Sequence, residues 1–310
     1  MTTPLTDAAA AAANKRLVVG LVLAMLGAIA FSGKAIIVKL AYRHGVDAVT
    51  LIMYRMLFAL PLFAAMAWWS SRGKPPLARR DWLGILGLGV SGYYLASFLD
   101  FAGLAYISAS LERLILYLTP TLVLLLSLLM FGRRVSRLHA LGTAISYAGV
   151  MVVFGHEVSL SGSHVAVGAG LVFASAISYA IYLTYSGEMV QRLGSLRLVG
   201  LATTVACVLC ITQFVVLRPL SAALVAPEVI SLSVLNATLC TAVPVLLVMM
   251  AIERIGAGAS SQAGMVGPIS TILMGVWLLD ESFTAWVAAG TVLVIAGIFV
   301  FSRASRVSSR

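Results

Sequence analysis

Residues 119–154 read TPTLVLLLSLLMFGRRVSRLHALGTAISYAGVMVVF, and residues 267–302 read GPISTILMGVWLLDESFTAWVAAGTVLVIAGIFVFS. Laid over each other at an offset of 148, the two stretches match without a gap. Pro120 falls on Pro268, Leu125 on Leu273, Ala140 on Ala288, Gly142 on Gly290, Thr143 on Thr291, Ala148 on Ala296, Gly149 on Gly297 and Val152 on Val300. Upstream, Gly20-Leu21-Val22 with Ala24 and Ala30 falls on Gly170-Leu171-Val172 with Ala174 and Ala180 at an offset of 150. The chain is therefore a duplicated unit of about 150 residues, and such a period constrains every later reading.

The unit is built for lipid. Of 310 residues, 61% are hydrophobic and only 10% charged, with a mean hydropathy of +1.04. Soluble domains carry about a quarter charged residues, and long apolar runs are the mark of membrane-spanning helices. The runs fall at 17–41, 48–70, 82–106, 108–131, 138–155, 166–186, 196–217, 229–252, 257–279 and 285–302. The expected fold is all-α and integral to the membrane, with ten transmembrane helices in two five-helix repeats. Its divisions are a disordered cytoplasmic tail (1–16), a first repeat (17–155), a second repeat (166–302) and a basic cytoplasmic tail (303–310).

The net charge of +10 would suit nucleic acid, but the basic residues sit in short loops between apolar runs. One side collects 15 Lys and Arg, from Lys15 and Arg16 to Arg303, Arg306 and Arg310; the other holds Arg43 and Arg218. Cytoplasmic loops carry that excess, so both termini are expected in the cytoplasm of a bacterial inner membrane, a multi-pass N-in/C-in arrangement. Nucleic acid is not an expected partner. Five helices per repeat then force the second repeat to enter from the opposite face, so the repeats are inverted. Inverted repeats place a binding site near mid-membrane, where the two halves meet.

Intramembrane charge is costly and marks function by default. Lys34, Arg55, Asp100, Glu112 and Arg113 lie inside apolar runs of the first repeat. Each has a plainer reading: Lys34 and Lys39 could snorkel to headgroups, Glu112 could complement a helix dipole, and Arg55 and Asp100 could be a structural pair. Tyr93, Tyr94, Tyr117, Tyr179, Tyr182, Asn236, Thr241, Ser260 and Gln262 complete the candidate cavity lining. Pro120, Pro244 and Pro268 are candidate hinges, because proline removes a helix donor and frees a carbonyl. Helices 1, 3, 4, 6, 8 and 9 are expected to surround the cavity.

Other motifs carry no chemistry. Gly87-x-Gly89-x-x-Gly92 lacks the preceding strand of a dinucleotide site, and Cys207-Val-Leu-Cys210 has no second metal-ligating pair. The four histidines have no ligand spacing. No metal, cofactor or enzymatic activity is expected; an intramembrane lipid-modifying enzyme would need clustered His, Asp or Cys. A passive facilitator remains a rival to a carrier. The expected partners are an amphipathic small molecule and the bilayer, and a monomer is the simplest expectation.

Gly267-Pro268, then Leu279-Asp280-Glu281, then Gly290 and Gly297 identify the resemblance. Ten helices in two halves with this pattern resemble the drug/metabolite transporter superfamily with two EamA-type repeats. Repeat one departs from it, with Gly132-Arg133-Arg134 where the acidic turn is expected. Within the superfamily the chain looks most like the YddG-type exporters of aromatic amino acids. That resemblance implies export of amino acids and related amphipathic metabolites through a central cavity, by alternating access.

Overall fold

A computed structural model describes residues 4–131, 137–161, 164–264 and 266–307, with some side chains outside the description, Gln262 among them. All the regular elements described are helical. They are α1 (Pro4–Tyr42), α2 (Ala48–Ser71), α3 (Arg79–Leu88), α4 (Ala96–Leu104), α5 (Ala109–Leu116), α6 (Thr119–Phe131) and α7 (Arg137–Ser161). There follow α8 (His164–Leu193), α9 (Ser195–Leu217), α10 (Pro227–Ala237), α11 (Val243–Ala263), α12 (Val266–Leu279) and α13 (Ala285–Val307). Among the described residues, seven helical spans are long and apolar enough to cross a membrane; Val266–Leu279 and Ala285–Val300 are shorter and apolar. Their outer faces expose Val216, Trp277 and Val292 among many others, an apolar belt that suits hydrocarbon rather than water.

The structure corrects several sequence expectations. Residues 4–16, expected as a disordered tail, belong to α1; the alanine run 8–13 has the strongest intrinsic helix preference available. Residues 303–307, expected in the basic tail, continue α13. The run 108–131 is two helices, broken at Tyr117 and Leu118. The boundary expected between 252 and 257 is absent, since α11 continues to Ala263 and the chain turns at Gly264 instead.

Proline explains both breaks. A proline ring excludes the carbonyl four residues back from the helix ladder. For Pro120 that carbonyl is Leu116, which accepts from the Thr119 hydroxyl at 2.6 Å. For Pro268 it is Gly264, which accepts from the Gly267 amide and from the Tyr117 hydroxyl, both at 3.0 Å. The two breaks sit 148 residues apart and are tied to each other across the repeats.

Two π-helical segments, Gly89–Leu95 and Thr238–Ala242, interrupt the third and eighth of the apolar runs. They too occupy equivalent positions. Pro244 follows the second of them, two residues into α11.

Helices α7 and α13 cross through glycine. A Cβ on Gly149 would lie 2.6 Å from the Gly290 carbonyl oxygen, and one on Gly297 would lie 2.6 Å from that of Gly142. Adding 148 to the first repeat's member and subtracting it from the second's turns one contact into the other. Rising numbers on α7 meet falling numbers on α13, so the two helices run antiparallel.

Loops group at two ends. Arg218 reaches Asp47 at 3.2 Å and Tyr54 donates to the Ala223 carbonyl. At the other end Arg197 donates to Ser71 and to the Pro75 carbonyl, and Arg192 pairs with Asp81.

Candidate functional site

A cavity of about 570 Å³ opens where α1, α2, α4, α5, α6, α8, α9 and α11 meet, beside both π segments. Lys34, Arg55, Tyr93, Asp100, Arg113, Tyr117, Pro120, Tyr179 and Thr241 line it. Phe31, Met56, Ser97, Ser175 and Thr203 line it as well; nothing in their sequence context sets them apart from other residues of apolar helices. The second and seventh apolar runs contribute Arg55, Met56 and Thr203, whereas α12, in the ninth, contributes nothing among the described residues.

Arg55 and Asp100 form no salt bridge; Asp100 pairs with Lys34 instead. Lys34, 6% exposed, is no snorkelling lysine: its Nζ lies 2.5 Å from Asp100 Oδ2 and 3.2 Å from Glu112 Oε1. Lys39 donates to the Leu104 and Ile107 carbonyls at 3.3 and 2.9 Å. Arg55 donates to Thr241 Oγ1 at 3.1 Å and to Ser97 Oγ at 3.4 Å, and lies 5.2 Å over the Phe101 ring. Arg113 donates to Thr271 Oγ1 at 3.0 Å and to Ser32 Oγ at 2.6 Å. It stands 5.7 Å from the Phe31 ring centre and 5.8 Å from that of Tyr117.

Arg55 and Arg113 are only 5% and 7% exposed, yet among the described residues neither lies within 4.0 Å of a carboxylate. Hydroxyls and rings hold both guanidiniums. Such partners neutralise nothing, so two full positive charges face the cavity. Asp100 keeps its second oxygen, Oδ1, without a hydrogen-bond partner.

The remaining candidates stand apart from the lining. Tyr182 is buried behind the wall, its ring 5.5 Å from Tyr179 and 5.2 Å from Tyr93. Glu112 is wholly buried behind Lys34. Tyr94 packs in the core beside α2, and Ser260 is buried off the cavity. Asn236 is buried under the second π segment, where its carbonyl accepts from Thr241 at 2.8 Å. Pro244 and Pro268 are buried off the lining, and the Gln262 side chain lies outside the described residues. The π segments were missed because no residue pattern announces them; each brings Tyr93 or Thr241 to the wall, as such bulges often do at functional sites.

A second cavity, of about 620 Å³, lies at the end of the molecule where α5 begins, with Lys39, Ser108, Ser110, Glu157 and Glu281 in its wall. Two carboxylates hold the start of α5 there. Glu281 accepts from the Ala109 amide at 2.7 Å and from Ser110 Oγ at 2.8 Å, and Glu157 accepts from the Ser108 amide and hydroxyl. Asp280, at φ 59°, turns the chain so that Glu281 points back at α5. The repeat-one counterpart, Gly132-Arg133-Arg134, lies outside the described residues. Cys207 and Cys210 are buried free thiols, the first 3.7 Å from the Met56 sulfur. No group of three or more metal-ligating residues stands together among the described residues.

Apolar spans around a cavity lined by aromatic and charged side chains define a multi-pass membrane protein. The EamA-like transporter family model matches residues 18–155 and again 166–303, and the chain belongs to that family. A Bacillus subtilis protein named uncharacterized transporter YcbK is 29% identical over 282 residues, covering 84% of this chain and 86% of the relative. An Archaeoglobus fulgidus protein named uncharacterized transporter is 21% identical over 87% of this chain and 92% of its own length. A crystal structure 15% identical in sequence covers 91% of this chain and 97% of that chain at a TM-score of 0.61, a likeness of fold alone. The fold and family together indicate a small-molecule transporter rather than an enzyme.

Proposed function

We propose that the protein is a secondary transporter that exports amino acids, aromatic ones included, across a bacterial inner membrane by alternating access. The observation that carries this reading is the pair of buried guanidiniums, Arg55 and Arg113, which face the cavity with no carboxylate within 4.0 Å of either among the described residues. A carboxylate ligand supplies what they lack, because charge-assisted bonds to a guanidinium fork are the strongest polar contacts available here. Asp100, which lines the cavity beside Lys34, offers a carboxylate to the ammonium of a zwitterion. Phe31, Tyr117 and Tyr179 give the aromatic wall that an amphipathic solute wants.

The mechanism follows from symmetry. The reciprocal glycine contacts between antiparallel α7 and α13, the matched proline breaks and the matched π segments all support two inverted five-helix repeats. Two inverted halves around one site rock to expose it to each side in turn. The excess of basic loops on one face supports both termini in the cytoplasm.

Uptake of labelled amino acids into proteoliposomes tests the reading. Saturable uptake is expected, competed by amino acids but not by their amides, which lack the carboxylate. Flux that never saturates would favour a channel, and no uptake of any amino acid by folded protein would sink the proposal.

A further inference from the structure

Among the described residues, Lys34 is the one cation in contact with two carboxylates, Asp100 and Glu112. Lys34 hydrogen-bonds Asp100. Glu112 receives the same ammonium at ion-pair distance but off the hydrogen-bonding direction, and neither of its oxygens has a hydrogen-bond partner. It is 0% exposed. A buried carboxylate so poorly served is among the costliest groups a protein can leave ionised, and a bound proton removes the cost.

Its position is equally telling. Ser108 and Ser110, at the start of α5, line the second cavity, while Arg113 and Leu116 line the central one. On α1, Lys39 lines the second cavity and Lys34 the central one. Glu112 and Lys34 therefore sit in the partition between the two. The charged groups that act on Glu112 are Lys34 from α1, Asp100 from α4 and Arg113 on α5 itself. Across the partition, Lys39, Arg43, His156, Glu157, Asp280 and Glu281 line the second cavity.

We propose that Glu112 is the proton-binding residue that couples transport to a proton gradient, with Lys34 relaying to it whether the central cavity is occupied. When a substrate ammonium reaches Asp100, it takes the place of Lys34. The Lys34 ammonium then turns fully to Glu112, whose O–H bond breaks, and the proton leaves to water. One positive charge enters the cluster as one leaves, so its total charge is unchanged. Release of substrate on the other side returns Lys34 to Asp100, and Glu112 takes a proton from that side. One proton moves inward for each substrate exported. The relay rests on the zwitterion reading of the cavity; the proton site does not.

Infrared difference spectra of the protein in lipid, titrated through the neutral range without substrate, read the carbonyl stretch of a protonated carboxyl group. One titrating carboxyl is expected in the wild type and in Glu157→Gln, and none in Glu112→Gln. A spectrum with no titrating carboxyl, or one unchanged by Glu112→Gln, overturns the proton site. Should Glu112→Gln not fold, Glu112→Asp must shift the titration, and an unshifted one is equally fatal. In proteoliposomes, Glu112→Gln is expected to lose accumulation driven by a pH gradient, with Glu112→Asp restoring it at a displaced pH profile. Gradient-driven accumulation that survives Glu112→Gln overturns the coupling role. Wild-type protein that carries no amino acid would instead defeat the substrate reading, leaving the infrared result to decide the proton site.

Discussion

Single residues decide what the cavity can hold. Arg55 and Arg113 were legible as candidates because a charge inside an apolar run is rare, but their partners were not, since Thr241, Thr271 and Ser32 are far away in sequence. A bond to a charged group is worth about 1.5–3 kcal/mol, and about 1.4 kcal/mol is tenfold in affinity. Arg113→Gln is therefore expected to raise the KM for a carboxylate substrate about tenfold to hundredfold, and a KM unchanged from wild type would exclude a direct contact. Asp47, in the loop before α2, offers a check on stability. Partial burial pushes its carboxyl up, but hydrogen bonds from the Thr50 hydroxyl and amide and from Arg218 outweigh that and hold it below the ordinary carboxylate range. A depressed value in the folded protein contributes stability above the unfolded value, and that contribution is lost as pH falls through the folded one. Thermal unfolding in detergent should therefore show wild type losing stability in acid relative to Asp47→Asn, which keeps the cap acceptor. Asp47→Ala should cost about 1 kcal/mol at neutral pH, the usual loss for an N-cap.

Elements carry the symmetry. The glycines of α7 and α13 were visible as matched positions in the repeat, although their mutual contact was not. Gly149→Leu should sharply lower folded yield and melting temperature, because even a Cβ there meets the Gly290 backbone at 2.6 Å. Gly170→Ala, with nothing within 4 Å, should be neutral or stabilising by about 0.5–1 kcal/mol, since alanine is the better helix former. Equal effects would remove the close-packing account. The carboxylate clamp on α5 gives a further comparison. Glu281→Ala should destabilise by about 0.5–2 kcal/mol, the range for a lost helix cap, and a melting temperature identical to wild type would mean that Glu157 alone holds α5. The acidic turn containing Glu281 was noticed in the sequence; its target, 172 residues away at Ala109, was not. The helix breaks were half-legible: Pro120 and Pro268 were marked, but as hinges within single helices. Where each helix divides depended on which carbonyl could find a new donor.

At the scale of the molecule, charge and hydropathy set the frame. The loops that the basic count assigns to one face, around Ser71–Arg79 and Leu193–Arg197, meet each other in the structure, and the Asp47 and Arg218 loops meet at the opposite end. A fluorescent protein that folds only in the cytoplasm, fused after Arg310, should be bright. Alkaline phosphatase, active only outside, should be active when fused in the loop at Arg218 and inactive after Arg310. The reverse pattern would invert every assignment of inside and outside made above.

Sequence by itself determined that the chain belongs in lipid, that it is duplicated at an offset of 148 residues, and which intramembrane charges needed explaining. These follow from composition and periodicity, which act locally and are read one residue at a time. Only the tertiary structure decided that Lys34 stands between two carboxylates while Arg55 and Arg113 stand without one. Only it decided that the prolines divide helices, and that a wholly buried Glu112 lies in the partition between two cavities. Those outcomes turn on which helix faces meet, a matter of packing between segments up to 186 residues apart, from Arg55 to Thr241, that no local pattern encodes.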